Sequence, residues 1–352
     1  MRLPRLTWLA LLLSAPLALV LVIVFALDLG PRDFRALGKR LLHRQTALET
    51  LWSAPETEGD LADFCVSRSG QLVAIRKGGL WAQKQGVFES LTAPQGLLHL
   101  FPEGPNGQAW VAGTYHRVLV WGAEGLHHVV TVRGTVRGVQ CRGNRLVVGF
   151  EEAALGRGLL MILERGSGAL FEPQGVEIPI GLDRWSNFDL SPDGRRVVAN
   201  LPEGKGVGVW STSDGALLAS WGSDRLARIL CFVDDERVLF DQGPALKIRD
   251  AAFANPGNRL EMAQVGTPGT TTVLVDDFAA VLSFTLWPSR SRMAFSDAEG
   301  LVRVVELGGR PHLASVFAPK GKGIPWQLRA TETGLWVYLK GESNRLDRFQ
   351  ID

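Results

Sequence analysis

The chain is poor in the residues that most site chemistry needs. It carries 3 cysteines and 6 histidines in 352 residues. Cys65, Cys141 and Cys231 lie far apart in apolar surroundings (FCV, VQC and LCF) with no CxxC spacing, which excludes a disulfide framework and leaves buried free thiols as the expectation. The histidines, His43, His99, His116, His127, His128 and His312, form no HExxH pattern. Only His127 and His128 adjoin, and alternation along the strand GLHHVV is expected to send one of them to solvent. No P-loop and no GxSxG element occurs, so nucleotide hydrolysis and an esterase elbow have no support. Net charge is also nearly absent, +2 from 38 basic and 36 acidic residues that alternate along the chain, so nothing favours nucleic acid as a partner. No catalytic residue, metal or cofactor is expected from these features.

What is present points to structure. Hydrophobic residues make up 46% of the chain, and 40 Gly and 18 Pro are spread along it, as many short strands joined by tight turns require. A chain of about 300 residues buries roughly 75% of its unfolded surface, so a sizeable core is available.

Leu6 to Leu27 (LTWLALLLSAPLALVLVIVFAL) is an uncharged run of 22 residues, long enough as a helix to cross a hydrocarbon core of about 30 Å. An uncleaved signal-anchor is expected over residues 1–28. Cleavage is the rival, since Arg2 and Arg5 form a basic n-region, although the apolar run exceeds an ordinary h-region. Residues 29–46 form a basic juxtamembrane segment, with Phe34, Leu37 and Leu41 at helical spacing. Arg35, Lys39, Arg40 and Arg44 lie on or between those turns and are candidates for a membrane surface. The export-like arrangement favours an extracytoplasmic domain, periplasmic in a bacterium, whereas the count of flanking positive charges points to a cytoplasmic one.

Residues 47–352 repeat. "LSPDGRRVVAN" (190–200) is a strand end, a turn and a second strand, followed by the third strand GVGVW and a fourth, ALLASW. Taking the third strand as anchor, the unit recurs at Trp81, Trp121, Leu163, Trp210, Ile248, Val305 and Phe349, a period of about 45 residues. Each anchor follows a turn and second strand, as in SRSGQLVAI, RGNRLVVGF, VDDERVLF and PSRSRMAF. Four strands per unit and no helical pattern predict an all-β fold, a β-propeller of about seven blades, with six and eight open. The sequence resembles the WD-repeat and bacterial WD-like propellers, whose blades carry a Ser-Pro-Asp-Gly turn and an apolar third strand ending in Trp. It departs from them in having no Trp-Asp dipeptide at any anchor. That resemblance implies a scaffold for protein partners. Because only three residues follow Phe349, the last blade lacks a fourth strand, and a strand from about 47–53 is expected to close it.

Asp193, Asp234, Asp235 and Asp297 are read as turn residues and Asp189, on an inner strand, as the one acid placed for channel chemistry. Trp81, Trp121 and Trp210 are expected between blades. Arg184, Trp185, Trp287 and Trp326 are the candidates for an exposed interaction face. Ala251 to Asp277 reads as an insertion, since it stretches one interval to 57 residues. The expected function is a membrane-anchored, non-catalytic scaffold for a protein or peptide. The alternative is a propeller enzyme or small-ligand binder that uses the central channel.

Overall fold

A computed structural model describes residues 44–351, except 46, 56–60, 67–71, 77–78, 85–86, 92–96, 102–108, 114–115, 123–124, 153–155, 167–170, 182–186, 205, 223–225, 244–257, 321–322 and 342. The expected span Leu6 to Leu27, with Arg35, Lys39 and Arg40, lies outside the described residues. Among the described residues, no helix is long and apolar enough to cross a membrane.

The unit around residue 190 shows how the sequence builds each sheet. Gly194 takes φ 71 in the turn, a conformation open to glycine at little cost. The Asp193 carboxylate accepts bonds from the Arg195 amide (2.9 Å) and the Ser191 hydroxyl (2.6 Å), so it serves the turn. Arg196–Asn200 then pairs with Asp189–Leu190 on one side and with Gly206–Ser211 on the other, with Val197 opposite Trp210. These middle strands are buried on both faces, and so they read as continuous apolar runs.

Six sheets are built in this way from four consecutive antiparallel strands each, over 61–91, 97–131, 135–180, 189–222, 230–278 and 281–319; we number them blades 1 to 6. A composite sheet, blade 7, takes three strands from 324–349 and its outermost one, Glu49–Pro55, from the other end of the chain. Blade 6 gains a fifth, parallel strand, Arg44–Gln45.

The core lies between sheets rather than within any one of them. Val147, Leu160 and Ile162 of blade 3 pack with Leu190, Val197 and Trp210 of blade 4. Phe232 and Phe240 of blade 5 pack with Val207 and Trp221 of blade 4. The last seam joins Trp336, Tyr338 and Leu346 of blade 7 to Phe64, Leu72 and Ala74 of blade 1, which closes the ring. A single blade has no core of its own, so stability belongs to neighbouring pairs.

Blade 5 corrects the reading of its repeat. Its third strand is Asn258–Gln264 and its fourth is Thr271–Phe278, so most of the supposed insertion is blade. The run ALKI and its anchor Ile248 lie outside the described residues, within the connection 244–257. A short apolar run outscored the true strand NRLEMAQ, whose alternate residues are polar.

Four antiparallel strands return the chain to the side on which it entered. All inner strands therefore begin on one face of the ring, the entry face. All turns between first and second strands lie on the other, the turn face.

Candidate functional site

The inner strands line the ring axis, and each leaves one backbone edge without a strand partner. Such an edge must find other partners or water. Here polar side chains of a neighbouring blade supply them. The Asp63 carboxylate of blade 1 accepts the Leu100 amide of blade 2 (2.9 Å), and Asp189 of blade 4 accepts the Phe232 amide of blade 5 (2.9 Å). Gln140 of blade 3 donates to the Phe188 carbonyl (3.4 Å), and Asn187 donates to the Arg228 carbonyl (3.3 Å). Ser283 and Thr285 of blade 6 accept the Leu328 and Ala330 amides of blade 7 (3.1 and 3.0 Å). Gln327 and Arg329 of blade 7 donate to the Ala62 and Phe64 carbonyls of blade 1 (3.3 and 3.0 Å).

Two carboxylates on these strands are also ion-paired across blades. Arg329 reaches Asp63 at 2.9 Å, and Arg290 of blade 6 reaches Asp189 at 2.9 Å while also donating to the Phe232 carbonyl. Arg142 of blade 3 approaches Asp189 from the other side at 3.7 Å. Burial works against the charge on Arg290, but Asp189 outweighs it and holds the guanidinium charged. Arg290 occupies the position that Gly194 holds in blade 4, and does so at φ 55, an uncommon conformation for a side chain of its size. The Asp189 group thus ties blades 3, 4, 5 and 6 together at the turn face.

A second set of contacts repeats on the turn face. Arg145, Arg196, Arg237 and Arg292 each open the second strand of a blade. Three of them reach the next blade: Arg145 donates to the Thr212 hydroxyl, Arg196 to the Asp235 carbonyl (2.6 Å) and Arg292 to the Ile351 carbonyl (3.3 Å). On the entry face, the ends of second strands carry acceptors for the incoming chain. Asn200 binds both polar groups of Ala227, and Asp241 accepts the Arg228 and Ile229 amides (2.6 and 2.7 Å).

Sequence reasoning saw Asp189 as a possible channel acid and missed its partners. The signal for the second set was present, since Arg immediately precedes the apolar run in RLVV, RVVA, RVLF and RMAF. Asp297 serves its turn as expected, accepting the Glu299 and Leu301 amides (3.1 Å each), but it does more. It is wholly buried, bonded to Arg303, whose guanidinium lies 5.8 Å from both the Phe278 and Phe295 rings.

The four candidates for an interaction face do not come together. Arg184 and Trp185 lie outside the described residues. Trp287 is only 8% exposed, packed in the core between blades 6 and 7, which corrects its assignment to an exposed surface. It also follows the end of the blade 6 inner strand, on the turn face, whereas Trp326 lies near the start of Ile324–Thr331, on the entry face. Trp326 is half-buried, with the Lys340 ammonium 5.4 Å from its ring. Of the proposed membrane-surface residues, Arg44 is described, exposed at the rim of blade 6. His127 and His128 are both exposed on the outermost strand of blade 2, just ahead of a bulge at Val129.

Burial pushes the Cys65 thiol up to about 12 and raises Cys231 further, and it raises Cys141 as well. Cys65 and Cys231 are therefore expected to resist iodoacetamide at pH 8 in the native protein and to react fully in guanidinium, as read by intact mass. Their raised values also mean that this share of stability is present below the unfolded thiol range and is lost as pH rises from about 9 toward 12.

Among the described residues, no three His, Cys, Asp or Glu side chains group as metal ligands. A ring of radial four-stranded sheets sealed by side chains on a polar axis defines a β-propeller, and the solved structures it resembles include a WD40 propeller domain. A chain of a mitotic checkpoint complex superposes with a TM-score of 0.64 at 10% identity, covering 88% of this chain and 93% of that one. The WD40 propeller domain of Doa1 gives 0.60 at 12% identity, covering 85% and 95%. Hydrazine synthase of Kuenenia stuttgartiensis gives 0.63 at 10% identity, covering 85% and 98%. No family model matches the sequence, and no curated protein matches it. The likeness establishes the fold, which hosts both binding proteins and enzymes.

Proposed function

We propose that the protein is a membrane-anchored, non-catalytic β-propeller that holds a protein or peptide partner, with its ring outside the cytoplasm. The observation that carries the non-catalytic part is the use of the inner-strand polar groups. Asp63 and Asp189, the carboxylates best placed for channel chemistry, each accept a neighbouring blade's amide and an arginine. Groups engaged in this way hold the ring together and have little capacity left for proton transfer. The anchoring part rests on the 22-residue apolar run; the basic residues Arg35, Lys39 and Arg40 follow that run in sequence, and Arg44 sits on the rim of blade 6. Arg184, Trp185 and Trp326 are the proposed contact residues, of which Trp326 lies on the entry face.

The full chain, purified in mild detergent from the membranes of its own cell, is expected to bring down a partner at fixed stoichiometry. That partner should rebind the pure chain and lose affinity on Trp326→Ala with Trp185→Ala. Turnover of a small substrate that disappears with Asp189→Asn in a fully folded protein would establish the channel enzyme instead. For the topology, a reporter fused after Asp352 that is active only outside the cytoplasm is expected to be active; activity of a cytoplasm-only reporter overturns that part.

A further inference from the structure

Blade 6 has a basic rim. Its outermost strand, His312–Pro319, begins after a turn in which Gly309 takes φ 60 and Arg310 is exposed, and it is followed by Lys320, also exposed. The fifth strand, Arg44–Gln45, runs parallel along its end, with Arg44 exposed opposite Ala318 and the Gln45 carbonyl accepting the Lys320 amide (2.8 Å). No acidic residue occurs from Leu307 to Lys320. Arg44, Arg310 and Lys320 have no carboxylate partner among the described residues. The outermost strands of blades 1, 3 and 5 are different, carrying Glu89, then Glu172 and Glu177, then Asp276 and Asp277, all exposed.

Apolar side chains lie on the same strip. His312, Leu313, Ala314 and Ser315 are all exposed, Leu313 by 38%. Leu48, where the chain passes from blade 6 to blade 7, is 57% exposed. At about 3.3 Å per residue the strip from Arg310 to Ala318 is about 26 Å long, basic at both ends and apolar between. Such a surface fits an anionic bilayer, where cations meet headgroup phosphates and leucines reach the acyl boundary. An acidic protein would satisfy the cations alone. The route of the chain favours the bilayer. Residues 28–43 are all that separates the apolar run from Arg44, so the chain joins the ring on this strip. The tether keeps the basic rim nearest the anchor, and the acidic rim of blade 3 lies across the ring from it.

We infer that the rim of blade 6 rests on an anionic bilayer surface, with Arg44, Arg310 and Lys320 on lipid phosphates and Leu48 and Leu313 at the acyl boundary. The inference rests on the anchoring reading, and the two are tested apart. The full chain, carrying Cys141→Ser so that only buried native thiols remain, receives a bimane label at Leu313→Cys or, on the rim of blade 2, at His128→Cys. It is reconstituted in phosphatidylcholine vesicles with about 30% phosphatidylglycerol. Lipid spin-labelled at the headgroup is expected to quench the label at position 313 about threefold more than that at position 128. The difference is expected to shrink in phosphatidylcholine alone and to vanish on Arg310→Glu with Lys320→Glu, a variant shown to be folded by an unchanged melting curve. Equal quenching at the two positions with anionic lipid, or a difference that survives charge reversal, overturns the assignment. So does a protein partner that charge reversal releases while the two labels never differ, which makes the strip an acidic protein's site. Flotation in high salt reads the anchor separately. A chain that floats is anchored whatever the labels show, and a chain that washes off loses the anchoring reading and this one with it.

Discussion

A chain lacking residues 45–55 is expected to lose its sharp unfolding transition and to melt broadly and early, as followed by far-UV circular dichroism and calorimetry. The segment carries far more than one outer strand. Glu49–Pro55 pairs along Ser343–Arg348, Leu48 donates its amide to the Arg348 carbonyl (2.8 Å), and Glu49 pairs with Arg348 at 3.1 Å. Thr50 donates to the buried Asp347 carboxylate at 2.8 Å. Trp52 lies 6.4 Å from Tyr338, whose hydroxyl accepts the Leu61 amide of blade 1, and Arg76 of blade 1 lies 5.7 Å over the Trp52 ring. Removing the strand therefore weakens blade 7 and its seam with blade 1 together. Loss of a large aromatic contact costs about 3–5 kcal/mol and each exposed ladder bond about 1 kcal/mol, which approaches the whole stability of an ordinary domain, about 5–15 kcal/mol. Thr50→Ala, which removes one bond, should cost only about 1 kcal/mol and keep the transition sharp. A truncated chain that melts as sharply and as high as the intact one would show that the ring closes by other means.

Closure is also where sequence and structure compare most directly. The missing fourth strand was legible from arithmetic, because the last repeat ends at Phe349, and the expected segment 47–53 lies two residues from the observed Glu49–Pro55. Six of the third-strand anchors fall on third strands; most of these strands show as apolar runs, whereas SNRLDRF of blade 7 is marked only by its terminal Phe349. The seventh failed at blade 5, where the third strand Asn258–Gln264 carries Arg259 and Glu261. Glu261 is buried and lies 3.3 Å from Arg259, so a polar strand persists there through pairing rather than apolarity.

The site was harder to read because its chemistry is relational. Asp63, Gln140, Asp189, Ser283, Thr285, Gln327 and Arg329 share no residue type and no single repeat position, and on paper they look like scattered polar residues on apolar strands. They share a task, which is to satisfy the free edge of an adjacent inner strand. Donors and acceptors alternate along such an edge, so carboxylates, amides, hydroxyls and guanidiniums can each serve, depending on what they face. Repeat analysis seeks identity at equivalent positions and is blind to a function filled by different residues. Tryptophan misled for a related reason: Trp287 sits in a turn, where exposure is the ordinary expectation, but it closes the apolar seam between blades 6 and 7.

Asp189→Ala is expected to destabilise the protein by about 3–5 kcal/mol, measured by chemical denaturation, because it strands partners rather than removing a contact. The Arg290 guanidinium would keep only the Phe232 carbonyl, Arg142 would lose the carboxylate beside it, and the Phe232 amide would be left without its acceptor. Asp189→Asn preserves an acceptor for that amide and loses the charge, so it should fall between the alanine variant and the wild type. Asp189→Ala combined with Arg290→Gly should recover part of the loss, since the second change removes the stranded charge and places glycine at φ 55, where it is at ease. The same series separates scaffold from enzyme. Catalytic carboxylates are commonly held at a cost to stability, and their neutral replacements often stabilise the fold. A more stable Asp189→Asn variant would mark Asp189 as a residue kept for chemistry, whereas graded destabilisation relieved by the Arg290 change marks it as the tie between blades 3, 4, 5 and 6.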